Sequence, residues 1–202
     1  MTAKKPADAR FPLHDLIRDR WSPLAFDGRS ISADALGSLL EAASWAPSSF
    51  NGQPWSYLVA QREDSAEFEK LLRCLVEGNV PWAQNASALL LAVASLKFSH
   101  NGKPNRHAQH DVGLANENLV LQAQALGLAA HQMAGFDPEK ARQLYEIPPD
   151  HEPLTMIAVG HQADPSRLSA PLRTREDSPR SRKLLSGMVY TGRWGAPEAF
   201  VS

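Results

Sequence analysis

The sequence predicts one globular domain of mixed helices and strands, and three observations carry that reading. Of the 202 residues, 43% are hydrophobic and 21% charged, ordinary globular usage that excludes a disordered chain. Segments with apolar residues at helical spacing alternate with short aromatic and β-branched runs. One run, 86–95, is continuously apolar between polar flanks, as expected of a strand buried on both faces. The length is about 1.3 times the rough 150-residue domain prior, which fits a single domain with extensions, or two small lobes. We take 1–202 as one domain, with 1–10 a polar N-terminal tail and 165–202 an extended C-terminal arm.

Taken in order, Phe11, Leu13, Leu16 and Ile17 predict a short helix that ends near Arg20. Ser32, or Ser30 before it, can cap a helix whose Leu36, Leu39, Leu40 and Ala43 share one stripe. Pro47 to Pro54 holds two prolines and a glycine within eight residues and reads as a loop. Trp55 to Ala60 is a strand by composition, and Phe68, Leu71, Leu72 and Leu75 predict a helix over 65–77. The polar stretch 98–109, with Gly102 and Pro104, reads as an exposed loop of the kind often found over binding sites. A long helix over 111–126 is apolar around much of its circumference, and Gly127 suits its C′ position. Leu128 to Met133 predicts a short strand, Asp137 caps a helix through Leu144, and Thr155 to Val159 is a further strand. Pro165 to Arg182, rich in Pro, Ser and Arg, reads as an extended arm without a packed element.

Composition and missing motifs exclude several functions. Lys plus Arg number 21 and Asp plus Glu 22, so a net charge of −1 gives no field for non-specific nucleic-acid or membrane binding. The strongest apolar stretch, Ala88 to Ala94, is far shorter than the roughly 20 residues of a membrane span. Met1 to Arg10 lacks a signal-peptide apolar region, so the expectation is a soluble cytoplasmic protein. The single cysteine, Cys74, has no disulfide or zinc partner of its own kind and reads as a small core residue. No G-x-G-x-x-G follows a strand, and P-loop, H-E-x-x-H and G-x-S-x-G motifs are missing. His107 and His110, beside Asp111, have a separation that metal ligands could use on a helix, but surface histidines of a polar loop are the preferred reading, and no metal is expected. The GRWG of 192–195 reads as a turn packed through Trp194.

Three separated segments ask for one kind of ligand. Arg20 and Ser22 put a cation and a hydroxyl two residues apart, able to reach a single phosphate. The PSSFNGQPW of 47–55 concentrates hydroxyls, amides and a glycine suited to the rim of a heterocycle or polyol. Arg180 and Arg182 are planar guanidiniums of the sort that clamp phosphate bidentately.

In order and wording these segments resemble the nitroreductase family of FMN-dependent NAD(P)H oxidoreductases, from about Leu16 to Trp194. The family loop P-S-x-x-N-x-Q-P-W is met by Pro47, Ser48, Asn51, Gln53, Pro54 and Trp55. Its N-terminal R-[RH]-S-x-[RK] is met by Arg20 and Ser22 alone, and its A-L-G-L and G-F-D stretches by 125–128 and 135–137. Arg180 and Arg182 are similar to its C-terminal basic pair.

The resemblance implies an α+β fold with a central, mainly antiparallel sheet flanked by helices, in an intertwined homodimer with two FMN sites at the subunit interface. Arg20, Ser22, Arg180 and Arg182 would hold the FMN phosphate beside the backbone of Trp21. Pro47, Ser48, Ser49, Asn51 and Gln53 would come from the partner chain to the flavin and ribityl region. Asn79 would face the ribityl or pyrimidine edge, and Gln132, Met133, Ala134 and Gly135 would lie along the isoalloxazine by their backbone. The implied activity is ping-pong hydride transfer from NAD(P)H to a small electron acceptor such as a nitroaromatic, quinone or enone, with no catalytic side chain assigned.

Two departures stand out. The family usually carries a cation where this chain has Leu24, and often another near Trp82, by N1 and O2 of the flavin. Without them the reduction potential falls, unless Arg29 or Lys103 substitutes. An FMN-sequestering protein with little turnover, a same-fold flavoenzyme with a different reaction, and a metal-dependent hydrolase through His107 and His110 are the alternatives.

Overall fold

The computed structural model describes residues 4–201. Its centre is strand β2 (Ala88–Ser95), buried along all but its last residue. β2 pairs antiparallel with β1 (Trp55–Gln61) on one side and β4 (His151–Gly160) on the other, and β3 (Ala129–Met133) completes the order β1-β2-β4-β3. Every pairing is antiparallel, and Leu90 lies opposite both Val59 and Ile157.

The period of two along a strand explains the unbroken apolar run. Leu89, Leu91 and Val93 enter a core with Phe68, Leu71, Trp82 and Met156. Ala88 and Leu90 enter a second core with Leu39, Leu119 and Ile157. Helices cover both faces of β2, so neither parity of its residues is polar before Ser95.

The second core is closed by helices α2 (Ala33–Ser44) and α5 (Ala108–Ala125), which pack against each other. Ser32 caps α2 by accepting from the Ala35 N–H at 3.1 Å. α5 ends in a Schellman turn, with Gly127 at φ +70° and the Leu128 N–H donating to the Ala123 carbonyl at 2.8 Å. The first core is closed by α3 (Ser65–Leu72), the short α4 (Val80–Ala83) and α6 (Pro138–Leu144), the last capped by Asp137. A short α1 (Asp15–Asp19) precedes them.

Four expectations change. The 65–77 helix stops at Leu72, because Leu75 turns to bridge Phe136. α4 lies in a segment given no element from the pattern. β4 begins at His151, four residues before the expected start, with Pro153 accommodated where the β2–β4 register shifts. The arm from 165 is not devoid of packed elements: it holds helix α7 (Ala170–Asp177), whose buried residue is Glu176. Among the described residues, no helix is long and apolar enough to cross a membrane.

Candidate functional site

The chain end of α1 and the C-terminal arm meet. Arg20 follows α1 directly, and its Nη1 lies 3.4 Å from the Ser22 Oγ. Arg180 reaches back from the arm and donates to the backbone carbonyls of Lys5 at 2.5 Å and Arg18 at 2.9 Å. Burial pushes the Arg180 pKa down, and the neighbouring charges of Arg20 and Arg182 push it further, against a smaller opposing pull from Asp19. So Arg180 feels both Arg20 and Arg182 as like charges.

Nearby carboxylates do little to neutralise it. Asp15 and Asp19 are taken by Arg18, at 2.8 and 2.7 Å. Arg20 has only Glu117 at 4.0 Å, and none of the ion pairs among the described residues includes Arg180 or Arg182. Repulsion between cations costs free energy unless an anion sits between them, which is the physical signature of a phosphate or carboxylate site.

The arm is docked by a buried carboxylate. Glu176 is 2% exposed, and its Oε2 accepts the Leu24 N–H at 2.7 Å while its Oε1 has no hydrogen-bond partner among the described residues. Burial raises its pKa, opposed by the hydrogen bonds from the Leu24 and Ala25 backbone. This contact ties α7 to the segment just after Ser22, and so sets where Arg180 and Arg182 emerge.

His131, on β3, supports the same segment. Its Nδ1 donates to the Pro23 carbonyl at 2.9 Å, and its ring lies 4.6 Å from that of Trp82. Burial lowers its pKa first, and the charges of Arg175 and Arg20 act in the same direction. The hydrogen bonds to the Pro23 and Ser22 backbone oppose that shift in part.

The strip 132–135 is brought to Asn79. The Asn79 Nδ2 donates to the Gly135 carbonyl at 3.0 Å, and a Cβ on Gly135 would lie 2.7 Å from that nitrogen. Gly135 is therefore required for this approach. Met133 is 3% exposed, so that residue offers only backbone to a ligand. Gln132 accepts from Asn116 on α5 at 3.3 Å, and Asn116 in turn accepts from the Tyr57 hydroxyl at 2.8 Å.

The loop 47–54 is strained. Phe50, Asn51 and Gln53 all have positive φ, at 53°, 51° and 44°. Non-glycine residues hold such angles only where surroundings enforce them, and such clusters mark functional sites. The buried Asp111 accepts the Ser49 N–H at 2.9 Å, and the Ser48 Oγ accepts the Gln53 N–H at 3.0 Å. Pro47 precedes these turns. None of the loop's hydrogen bonds among the described residues reaches Arg20, Arg180 or Arg182.

Leu24 and Trp82 are 2% and 0% exposed, and both belong to the first core. Neither suggested replacement cation is drawn to them: Arg29 is paired with Asp27 at 2.6 Å, and Lys103 lies in an exposed turn. Sequence reasoning missed Glu176, His131 and Asn116 as site-building residues. It saw Asp111 only as a neighbour of His107 and His110, whereas the carboxylate buttresses the loop.

Fold and site together define an antiparallel α+β protein with a cation cluster suited to a phosphate. The chain belongs to the nitroreductase family, whose model matches residues 17–161. A solved FMN-containing oxidoreductase is 36% identical, superposes with a TM-score of 0.90, and covers 97% of this chain and 100% of its own. Protein DrgA of Synechocystis is 31% identical over 89% of this chain and 96% of its own. The FMN reductase [NAD(P)H] of Bacillus subtilis is 25% identical over 74% of this chain and 66% of its own. The family match ends before the arm and does not include Arg180 and Arg182.

Proposed function

We propose that this protein is an FMN-dependent oxidoreductase that passes a hydride from NAD(P)H to a small acceptor, a nitroaromatic, quinone or enone, as a cytoplasmic homodimer. The observation that carries the reading is the poorly neutralised group of Arg20, Arg180 and Arg182. FMN has a phosphate to neutralise it, and the site fits that group. Bound FMN would supply the hydride chemistry itself.

The chain's own residues bind and orient. Arg20, Arg182 and the Ser22 hydroxyl would hold the phosphate, with Arg180 adding charge while it pins the N-terminal tail. The strip 132–135, pressed against Asn79, would offer backbone groups to the ring system. The family resemblance assigns Ser48, Ser49, Asn51 and Gln53 to the partner's site, and no hydrogen bond among the described residues ties the loop to its own chain's arginines. No side chain need act as nucleophile or general base, so the protein contributes position and electrostatics.

Purified protein should be yellow, and NADH or NADPH should bleach it without oxygen. A colourless preparation that added FMN does not restore would refute the reading. A second reading, FMN storage with little turnover, is favoured by the buried apolar Leu24 and Trp82. Stoichiometric FMN with negligible NAD(P)H oxidation across several acceptors would establish it instead.

A further inference from the structure

Phe50 is 83% exposed, although its loop is bent through positive φ at Phe50 itself. A bulky ring in that backbone region is disfavoured, and the usual reason to accept it would be burial of the side chain. In the single chain the ring faces outward. What holds the bend is Asp111 on the Ser49 N–H and, from the other side, Phe98. A Cβ on Gly52 would sit 3.3 Å from the Phe98 Cδ1, so the glycine is there to admit the ring.

Phe98 belongs to a turn whose flanks, Lys97 and Pro104, are bridged. It is closed by the Phe98 N–H to the Lys103 carbonyl at 2.9 Å and the Gly102 N–H to the Phe98 carbonyl at 2.8 Å. The turn delivers two rings to Phe50. Phe98 meets it edge-on, with centroids 5.8 Å apart at 88°, and His100 lies 6.5 Å from Phe50 and 5.4 Å from Phe98. Edge-on support fixes a ring while leaving a face free.

We propose that Phe50, backed by Phe98 and His100, is an acceptor platform that selects planar, electron-poor rings over acceptors that cannot stack. The proposal rests on the reading that the 47–54 loop lies at a partner's flavin site. An aromatic face carries partial negative charge, so an offset stack favours a quinone or nitroaromatic ring. Phe50 and Phe98 are thus specificity-determining residues, and the second of them acts by positioning the first.

The test uses holoprotein reduced anaerobically by NAD(P)H, then reoxidised by menadione, a planar bicyclic quinone, or by ferricyanide, which cannot stack. In Phe50→Ala the ratio of kcat/KM for menadione to that for ferricyanide should fall about tenfold. Phe50→Tyr should restore it, and Phe98→Ala should give a smaller fall. An unchanged ratio overturns the proposal. So does an equal fall for both acceptors, or dissociation of a dimer in sedimentation, because the rings would then be packing against a second chain. If the wild-type holoprotein is not reduced by NAD(P)H, the oxidoreductase reading fails before any acceptor is added, and the platform falls with it.

Discussion

Arg20, Arg180 and Arg182 come from the two ends of the chain and meet as like charges, whereas the 47–54 loop is closed by contacts made within its own neighbourhood. The loop is strained but satisfied: its backbone donors at Ser49 and Gln53 have acceptors, and its positive φ angles are enforced by Asp111 and Phe98. The arginines have hydrogen-bond acceptors but little counter-charge, with Glu117 at 4.0 Å from Arg20 the one ion pair they make among the described residues. One region is ready before a ligand arrives; the other is completed by one. Mutations should therefore separate them, through ligand affinity in the first case and folding stability in the second.

The largest effect belongs to the arginines. Arg182→Ala removes a charge-assisted contact worth roughly 1.5–3 kcal/mol, so the FMN Kd should rise by roughly 10- to 150-fold in a fluorescence titration. The same change should leave the denaturation midpoint of FMN-free protein level or slightly raised, since it also removes a repulsive neighbour of Arg180. Unchanged affinity would remove Arg182 from the site. A large loss of FMN-free stability would show that Arg182 is structural, and the contrast would fail.

The loop should behave oppositely. Asp111→Ala deprives the Ser49 N–H of its acceptor at a site where the carboxylate is 2% exposed. Leaving such a donor unpaired costs about 1–3 kcal/mol of stability, measurable in urea melts with and without FMN. Asp111→Asn keeps an oxygen for that donor and should recover much of the loss. If Asp111→Ala melts like wild type, the loop's angles are not enforced from α5 and its strain has another source.

The sequence made the loop legible as a loop but not its internal geometry. Turn chemistry assigns positive φ to glycine. Here Gly52 sits at φ −72°, and the left-handed angles fall on Phe50, Asn51 and Gln53. The glycine serves space rather than dihedral freedom, because Phe98 and the Ser49 carbonyl crowd its missing side chain. That crowding depends on a turn some fifty residues away, which no local pattern reveals. The sheet was easier, since the run through β2 needs apolar residues at both parities and shows it. Helix α7 was hidden for the opposite reason. Its APLRTRED carries four charges and its buried residue is Glu176, so no hydrophobic stripe announces it. Ser169 followed by a proline in the first turn was the available signal.

The smallest effect concerns how the arm holds the arginines in place. Glu176 has its pKa raised above the ordinary 4.5, chiefly by burial, with Asp177 adding and Lys5 and the Leu24 and Ala25 N–H groups opposing. A raised folded-state value means that the folded chain binds the proton more tightly than the unfolded chain does. Its contribution to stability is therefore fully present below 4.5 and is lost as pH rises through the folded value. Glu176→Gln cannot titrate. The stability of wild type minus that of the variant, from urea melts across the carboxylate range, should fall as pH rises and then level off. A difference that rises with pH instead would mean that the hydrogen bond to the Leu24 N–H outweighs burial. A flat difference would mean that Glu176 stays hydrated with the arm undocked, leaving Arg180 and Arg182 as dispersed as the loop is compact.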